Sequence, residues 1–115
     1  KDYGVQHAYA LSILTTVVSR PTSTRIICDA GWKAMSRHPA FPEPLDVGEV
    51  KSLNLSAEHA TIEVAAPRAF PGVGEQVEFV AGYSDSTVFL HDYLYGVRAG
   101  RLEAIWPILG RGKLL

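Results

Sequence analysis

Cysteine is almost missing from this sequence: Cys28 is the single one in 115 residues, so no intrachain disulfide can staple the fold. A lone thiol fits a reducing compartment. An excess of one charge is missing too, since 11 Lys and Arg stand against 12 Asp and Glu, and the basic residues are scattered. That excludes the concentrated basic footprint of a nucleic-acid-binding protein. Long hydrophobic runs are also lacking. The most apolar stretch, Ala8 to Val18, is interrupted by Ser12, Thr15 and Thr16 and falls short of the ~20 residues a membrane-spanning helix needs. No secretory pattern opens the chain, so a soluble, cytoplasmic protein is the expectation. Residue 1 is Lys rather than Met, and a longer parent chain is therefore expected.

Familiar metal and phosphate motifs are absent as well. His7, His38, His59 and His91 lie far apart, and none stands in an H-x-x-H, H-E-x-x-H or C-x-x-C setting, so a structural zinc site is not expected. Gly72-Val73-Gly74-Glu75 is too short for a phosphate loop and no Lys-Ser/Thr follows it. There is no repeat or low-complexity tract, and 47% apolar with 20% charged residues marks a globular chain. Residues 1–115 read as a single β-rich domain.

What is there is β texture. Ala8 to Ser19 (AYALSILTTVVS) is rich in β-branched residues, which suit a pleated surface. Leu11, Ile13, Thr15 and Val17 point one way, Leu14 and Val18 the other. Both faces are apolar, so this strand is expected between two layers or in a barrel wall. Arg20 to Ser23 supplies a turn into Arg25 to Asp29, its hairpin partner. A long proline-rich loop spans Pro39 to Gly48. Strands are predicted at Val50 to Leu55, Ala60 to Ala65, Gln76 to Ala81, Ser86 to His91, Leu94 to Arg98 and Arg101 to Ile108, with Ala99-Gly100 as a tight turn and Leu109 to Leu115 as a Gly- and Arg-rich remainder. The fold class is mainly β: a small antiparallel β-barrel or sandwich-like domain with long Pro/Gly loops.

Few residues offer chemistry. Cys28 lies in an alternating apolar strand and reads as a buried thiol. Glu58-His59 could be an acid–base pair, but a turn histidine beside a solvated glutamate is the commoner outcome. Trp32 and Trp106 read as core or interface anchors. Gly82-Tyr83-Ser84-Asp85-Ser86-Thr87 stands out, with a phenol, hydroxyls, a carboxylate and a flexible glycine at the mouth of a strand. A capping turn would use the same residue types. His91-Asp92-Tyr93 shares that ambiguity.

Six segments in order carry a family resemblance: TTVVSRP (Thr15 to Pro21), DAGWKAMS (Asp29 to Ser36), AEH (Ala57 to His59), GEQVEF (Gly74 to Phe79), STVFLHDYLYGVRAG (Ser86 to Gly100) and IWPILGRGK (Ile105 to Lys113). Together they resemble the C-terminal domain of the D-threonine aldolase and D-serine dehydratase family, whose fold is like that of alanine racemases. The resemblance implies a two-domain pyridoxal-phosphate enzyme: an N-terminal α/β barrel holds the cofactor, and the β domain completes the site in a homodimer. Two departures matter. The family's cofactor lysine belongs to the barrel, and Lys1, Lys33, Lys51 and Lys113 match no such context. Family members with a catalytic divalent metal carry His-x-Cys or His-x-Asp where this chain has Tyr83-Ser84-Asp85. Asp85 keeps an oxygen ligand, whereas a neutral phenol replaces the imidazole. The metal is then weak, is a harder ion held through Asp85 and water, or is absent.

The resemblance therefore implies a domain that completes the site of a lyase, dehydratase or racemase for a small D- or β-hydroxy amino acid, inactive alone. Tyr83 and Asp85 are the candidate catalytic residues, Ser84 and His59 the candidate substrate contacts, and Asp85 the candidate metal ligand. The rival reading is a stand-alone β module for binding or assembly, without catalysis.

Overall fold

The computed structural model describes residues 6–114; Lys1 and Leu115 lie outside them. The chain is mainly β. Six strands form an antiparallel sheet in the order β3-β6-β1-β2-β5-β4, curled into a half-barrel. They are β1 (Ser12–Thr22), β2 (Arg25–Cys28), β3 (Glu43–Pro44), β4 (Val50–Leu55), β5 (Ala60–Val64) and β6 (Gln76–Val80). A helical turn, α1 (Asp85–Val88), leads to a separate hairpin of β7 (Tyr93–Arg98) and β8 (Arg101–Pro107).

The inward set of the first strand is as expected. Thr15 and Val17 are buried, and alternation carries Ile26, Cys28, Ile62, Val64, Val77 and Phe79 into one core that Met35 also enters. Thr15 Oγ1 satisfies its buried hydroxyl by donating to the Val77 carbonyl at 2.8 Å. Burial pushes the Cys28 thiol up; a hydrogen bond with Thr15 opposes this, and nearby Asp29 adds to it.

Three expectations need correction. First, β1 begins at Ser12 rather than Ala8 and continues through Arg20-Pro21 to Thr22. A register irregularity between Ser19 and Thr22 absorbs the proline, whose missing donor would otherwise break the ladder. Second, the outer face of β1 is open: Leu14 is 62% exposed, so the strand has one covered face among the described residues. Third, Ser86 to His91 is not a strand. Val88 N donates to the Ser84 carbonyl and His91 N to that of Val88, while the Thr87 hydroxyl back-bonds to the Tyr83 carbonyl at 2.7 Å. These local bonds close a helical turn before the apolar run Val88 to Leu90 can find a strand partner.

The remaining joints follow local chemistry. Ala99 and Gly100 both adopt positive φ, which matches the turn to the twist of the β7–β8 hairpin. Asp29 ends β2 by accepting the Thr16 N–H on its Oδ1 at 2.8 Å. Trp32 and Trp106 are not core anchors, being 44% and 54% exposed.

Candidate functional site

The residues Tyr83, Ser84 and Asp85 connect β6 to α1. Tyr83 Oη donates to Asp85 Oδ2 at 3.1 Å, and Ser84 Oγ reaches Asp85 Oδ1 at 3.5 Å. The phenol and the carboxylate are thus joined, and both are exposed. Gly82 permits this course: a Cβ there would lie 2.2 Å from the Ala40 carbonyl oxygen and 2.6 Å from that of Phe41. The loop therefore crosses the proline-rich segment at backbone distance, which only glycine allows.

Thr87, 1% exposed, pins the site from beneath. Its hydroxyl donates to the Tyr83 carbonyl and accepts from Ser36 N at 3.2 Å. Ser86 Oγ donates to the His38 carbonyl at 3.2 Å, and His91 Nε2 bonds to the Ala34 carbonyl. A carbonyl only accepts, so that ring nitrogen carries the proton. Three side chains thereby stitch 83–91 onto 34–38. A cleft of about 360 Å³ opens at this seam, lined by Trp32, Ser36, Arg37, His38, Ser86, Phe89 and Leu90.

His59 lies elsewhere, in the β4–β5 turn, where Ser56 Oγ accepts the His59 N–H and donates to its carbonyl, both at 3.2 Å. No hydrogen bond or ion pair joins it to Ser84 or Asp85. Glu58 pairs with Lys33 at 3.2 Å, so Glu58-His59 is a turn rather than an acid–base pair. That turn nevertheless meets the site's supporting loop, because Trp32 N and Lys33 N donate to the carbonyls of Ser56 and Ala57.

A cofactor aldehyde needs a pocketed lysine and phosphate donors. Lys33 is ion-paired and exposed, and Lys51 and Lys113 are exposed as well, so the described residues do not fit pyridoxal phosphate by themselves. Nor do three His, Cys, Asp or Glu side chains converge among them, and Asp85 would be a single protein ligand. Sequence reasoning missed Arg37 and the anchoring role of Thr87. The only sequence signal was their proximity to DAGWKAMS and Gly82-Tyr83.

Comparison with known proteins gives a consistent picture. The family described as "Putative serine dehydratase domain" matches residues 10–97. The 3-hydroxy-D-aspartate aldolase of Paracoccus denitrificans is 36% identical over 104 residues, covering 90% of this chain and 26% of its own length. The D-threonine aldolase of an Arthrobacter species is 33% identical over 103 residues, covering 90% and 27%. The crystal structure of D-threonine aldolase from Filomicrobium marinum superposes with a TM-score of 0.89 at 29% identity, over 96% of this chain and 30% of that one. D-threo-3-hydroxyaspartate dehydratase from a Delftia species shares the fold, with a TM-score of 0.63 at 23% identity, over 85% of this chain and 31% of that one. The chain thus spans under a third of the length of these relatives.

Proposed function

Because this chain belongs to the serine dehydratase domain family, we propose that it is the β domain completing the active site of a pyridoxal-phosphate lyase for a small β-hydroxy D-amino acid. The Tyr83–Asp85 hydrogen bond is the observation that carries the reading. It orients a phenol on a glycine-tightened loop that Thr87 anchors, beside an open cleft. Tyr83 holds the substrate β-hydroxyl or exchanges a proton with it, and Asp85, accepting a hydrogen bond from the phenol, keeps the oxygen in place. Ser84 is a secondary substrate contact, whereas His59, held in the β4–β5 turn by Ser56, is not carried into this reading. A divalent metal, if used, takes Asp85 as an oxygen ligand and its other ligands from outside this chain.

Pyridoxal phosphate supplies an electron sink when bound, and an α/β barrel elsewhere in a longer cytoplasmic enzyme holds it. On this reading the 115 residues are inactive alone. The relatives' names and the small share of their length that the chain covers support that view. The exposed apolar face of the β7–β8 hairpin supports a second element, a homodimer. Tyr93, Tyr95 and Val97 lie opposite Pro107, Ile105 and Leu102, and Tyr95 and Val97 are 62% and 64% exposed. A lone two-stranded hairpin with such a face is marginal in water and calls for a cover.

The test uses the longest natural form, purified with pyridoxal phosphate and challenged with D-threonine, D-serine and 3-hydroxy-D-aspartate. The expected result is a visible cofactor band that shifts on adding substrate, with turnover. Tyr83→Phe should lower turnover roughly 100-fold or more, the scale of lost acid–base assistance. Full turnover in that variant would remove Tyr83 from the chemistry.

A further inference from the structure

We infer that a second copy of this chain seats its Leu109–Leu114 segment in an apolar trough on the open face of the sheet, with Lys113 meeting Asp46 and Glu78. The inference rests on the proposed homodimer and adds a second contact to it. The trough has two lobes that share Leu14. The larger, of about 400 Å³, is walled by Leu11, Ile13, Val88, Leu94 and Tyr95. The smaller, of about 230 Å³, lies between Leu45 and Phe70 and includes Asp46 and Glu78. Leu14 and Phe70 are 62% and 54% exposed. Glu78 stands directly opposite Leu14 in the β1–β6 register, so a carboxylate and an apolar patch sit side by side. Neither the Asp46 nor the Glu78 carboxylate has a hydrogen bond or ion pair among the described residues.

The segment after β8 has the complementary chemistry. Its turns are closed locally: Arg111 N donates to the Ile108 carbonyl at 3.1 Å and Lys113 N to that of Gly110 at 3.2 Å. They leave Leu109 and Leu114 81% and 78% exposed. Arg111 is paired with Asp92 at 2.9 Å, whereas the Lys113 ammonium has no ion pair among the described residues. Two bare leucines around a free ammonium thus match two apolar lobes with free carboxylates at one end. Burial supplies the attraction and the charges set the register. No residue of 109–114 lines either lobe within its own chain. Tyr93 and Tyr95 of the hairpin face also line the larger lobe, so a copy covering that face lies at the trough's mouth. Its own segment leaves the same hairpin directly. In a twofold pair each copy gives one segment and receives one. The exposed leucines and Phe70 then extend the hairpin patch towards the roughly 800 Å² that each partner of a stable pair contributes.

A charge swap in the longest natural form tests this, with the dimer dissociation constant read by sedimentation on dilution. Moderate urea is added to every sample if the pair survives dilution intact. Glu78→Lys and Lys113→Glu should each raise that constant roughly tenfold, because each sets like charges against one another. The double variant, Glu78→Lys with Lys113→Glu, should return to within about twofold of the starting protein. Both positions are exposed, and unchanged circular dichroism checks that the fold survives. Leu114→Asp should weaken the pair as well, by removing an apolar anchor. A dimer indifferent to the single changes overturns the inference and leaves the homodimer standing. So does a double variant weaker than either single one, since the two charges then act at separate places. A protein that is monomeric at every concentration overturns the homodimer itself, and the seated segment with it.

Discussion

Single residues decide how this domain holds its loops. Gly82 is the clearest case, because any side chain there meets two carbonyl oxygens well inside contact distance. Gly82→Ala should destabilise the longest natural form by about 1–3 kcal/mol, the range of overpacking, read from denaturant unfolding. Turnover should fall further than stability, since the shift falls on Tyr83. Cys28 carries a second expectation. Its thiol is held above the ordinary value of 9.0, mainly by burial. The unfolded chain therefore loses that proton first as pH rises. The contribution is fully present below the unfolded pKa and is lost as pH climbs through the folded one. Alkylation of the Cys28 peptide, followed by mass spectrometry, should be slow in the native protein at neutral pH and fast once it is unfolded. Rapid native labelling would contradict the burial.

Between strands, Arg20 works as a clamp. Its guanidinium donates to the carbonyls of Ser23, Arg25, Arg68, Ala69 and Pro71, tying the β1–β2 turn to the Pro67–Gly74 loop. A lysine ammonium has three donors on one nitrogen and cannot span that arc. Arg20→Lys should cost about 2 kcal/mol, seen as a lower Tm, with the loop more open to proteolysis. An unchanged Tm would mean the carbonyls are equally well served by water. Element boundaries were legible wherever alternation met clear punctuation. The strands β4 and β5 around Ser56–His59, and the hairpin turning at Ala99-Gly100, follow the sequence closely. The failure at Ser86 to His91 has a definite cause. Val88-Phe89-Leu90 is a short apolar run of the length a strand would use, but the Thr87 hydroxyl and the Ser84 carbonyl offer local partners that need no second strand.

For the whole molecule, the unequal covering of its faces is the dominant fact. The sheet's concave side encloses Val17, Ile26, Ile62 and Phe79, while the hairpin presents its aromatic and branched side chains to solvent. On the proposed reading a second copy covers that face. Tyr95→Glu in the longest natural form should then shift sedimentation from dimer towards monomer with little change in fold by circular dichroism. A dimer that persists unchanged would place the interface elsewhere.

Composition and alternation were enough to determine a mainly β domain with a buried Cys28, and to single out Tyr83 to Asp85, because these depend on each residue's own chemistry and its neighbours in the chain. The ordered segments were enough to indicate the family. Only the tertiary structure decided that Thr87, Ser36, Ser86 and His38 form one seam, and that Trp32 and Phe89 line one cleft along it. Those contacts join residues some fifty positions apart, and hydrogen bonds of that span arise from the path of the sheet, which no local pattern encodes.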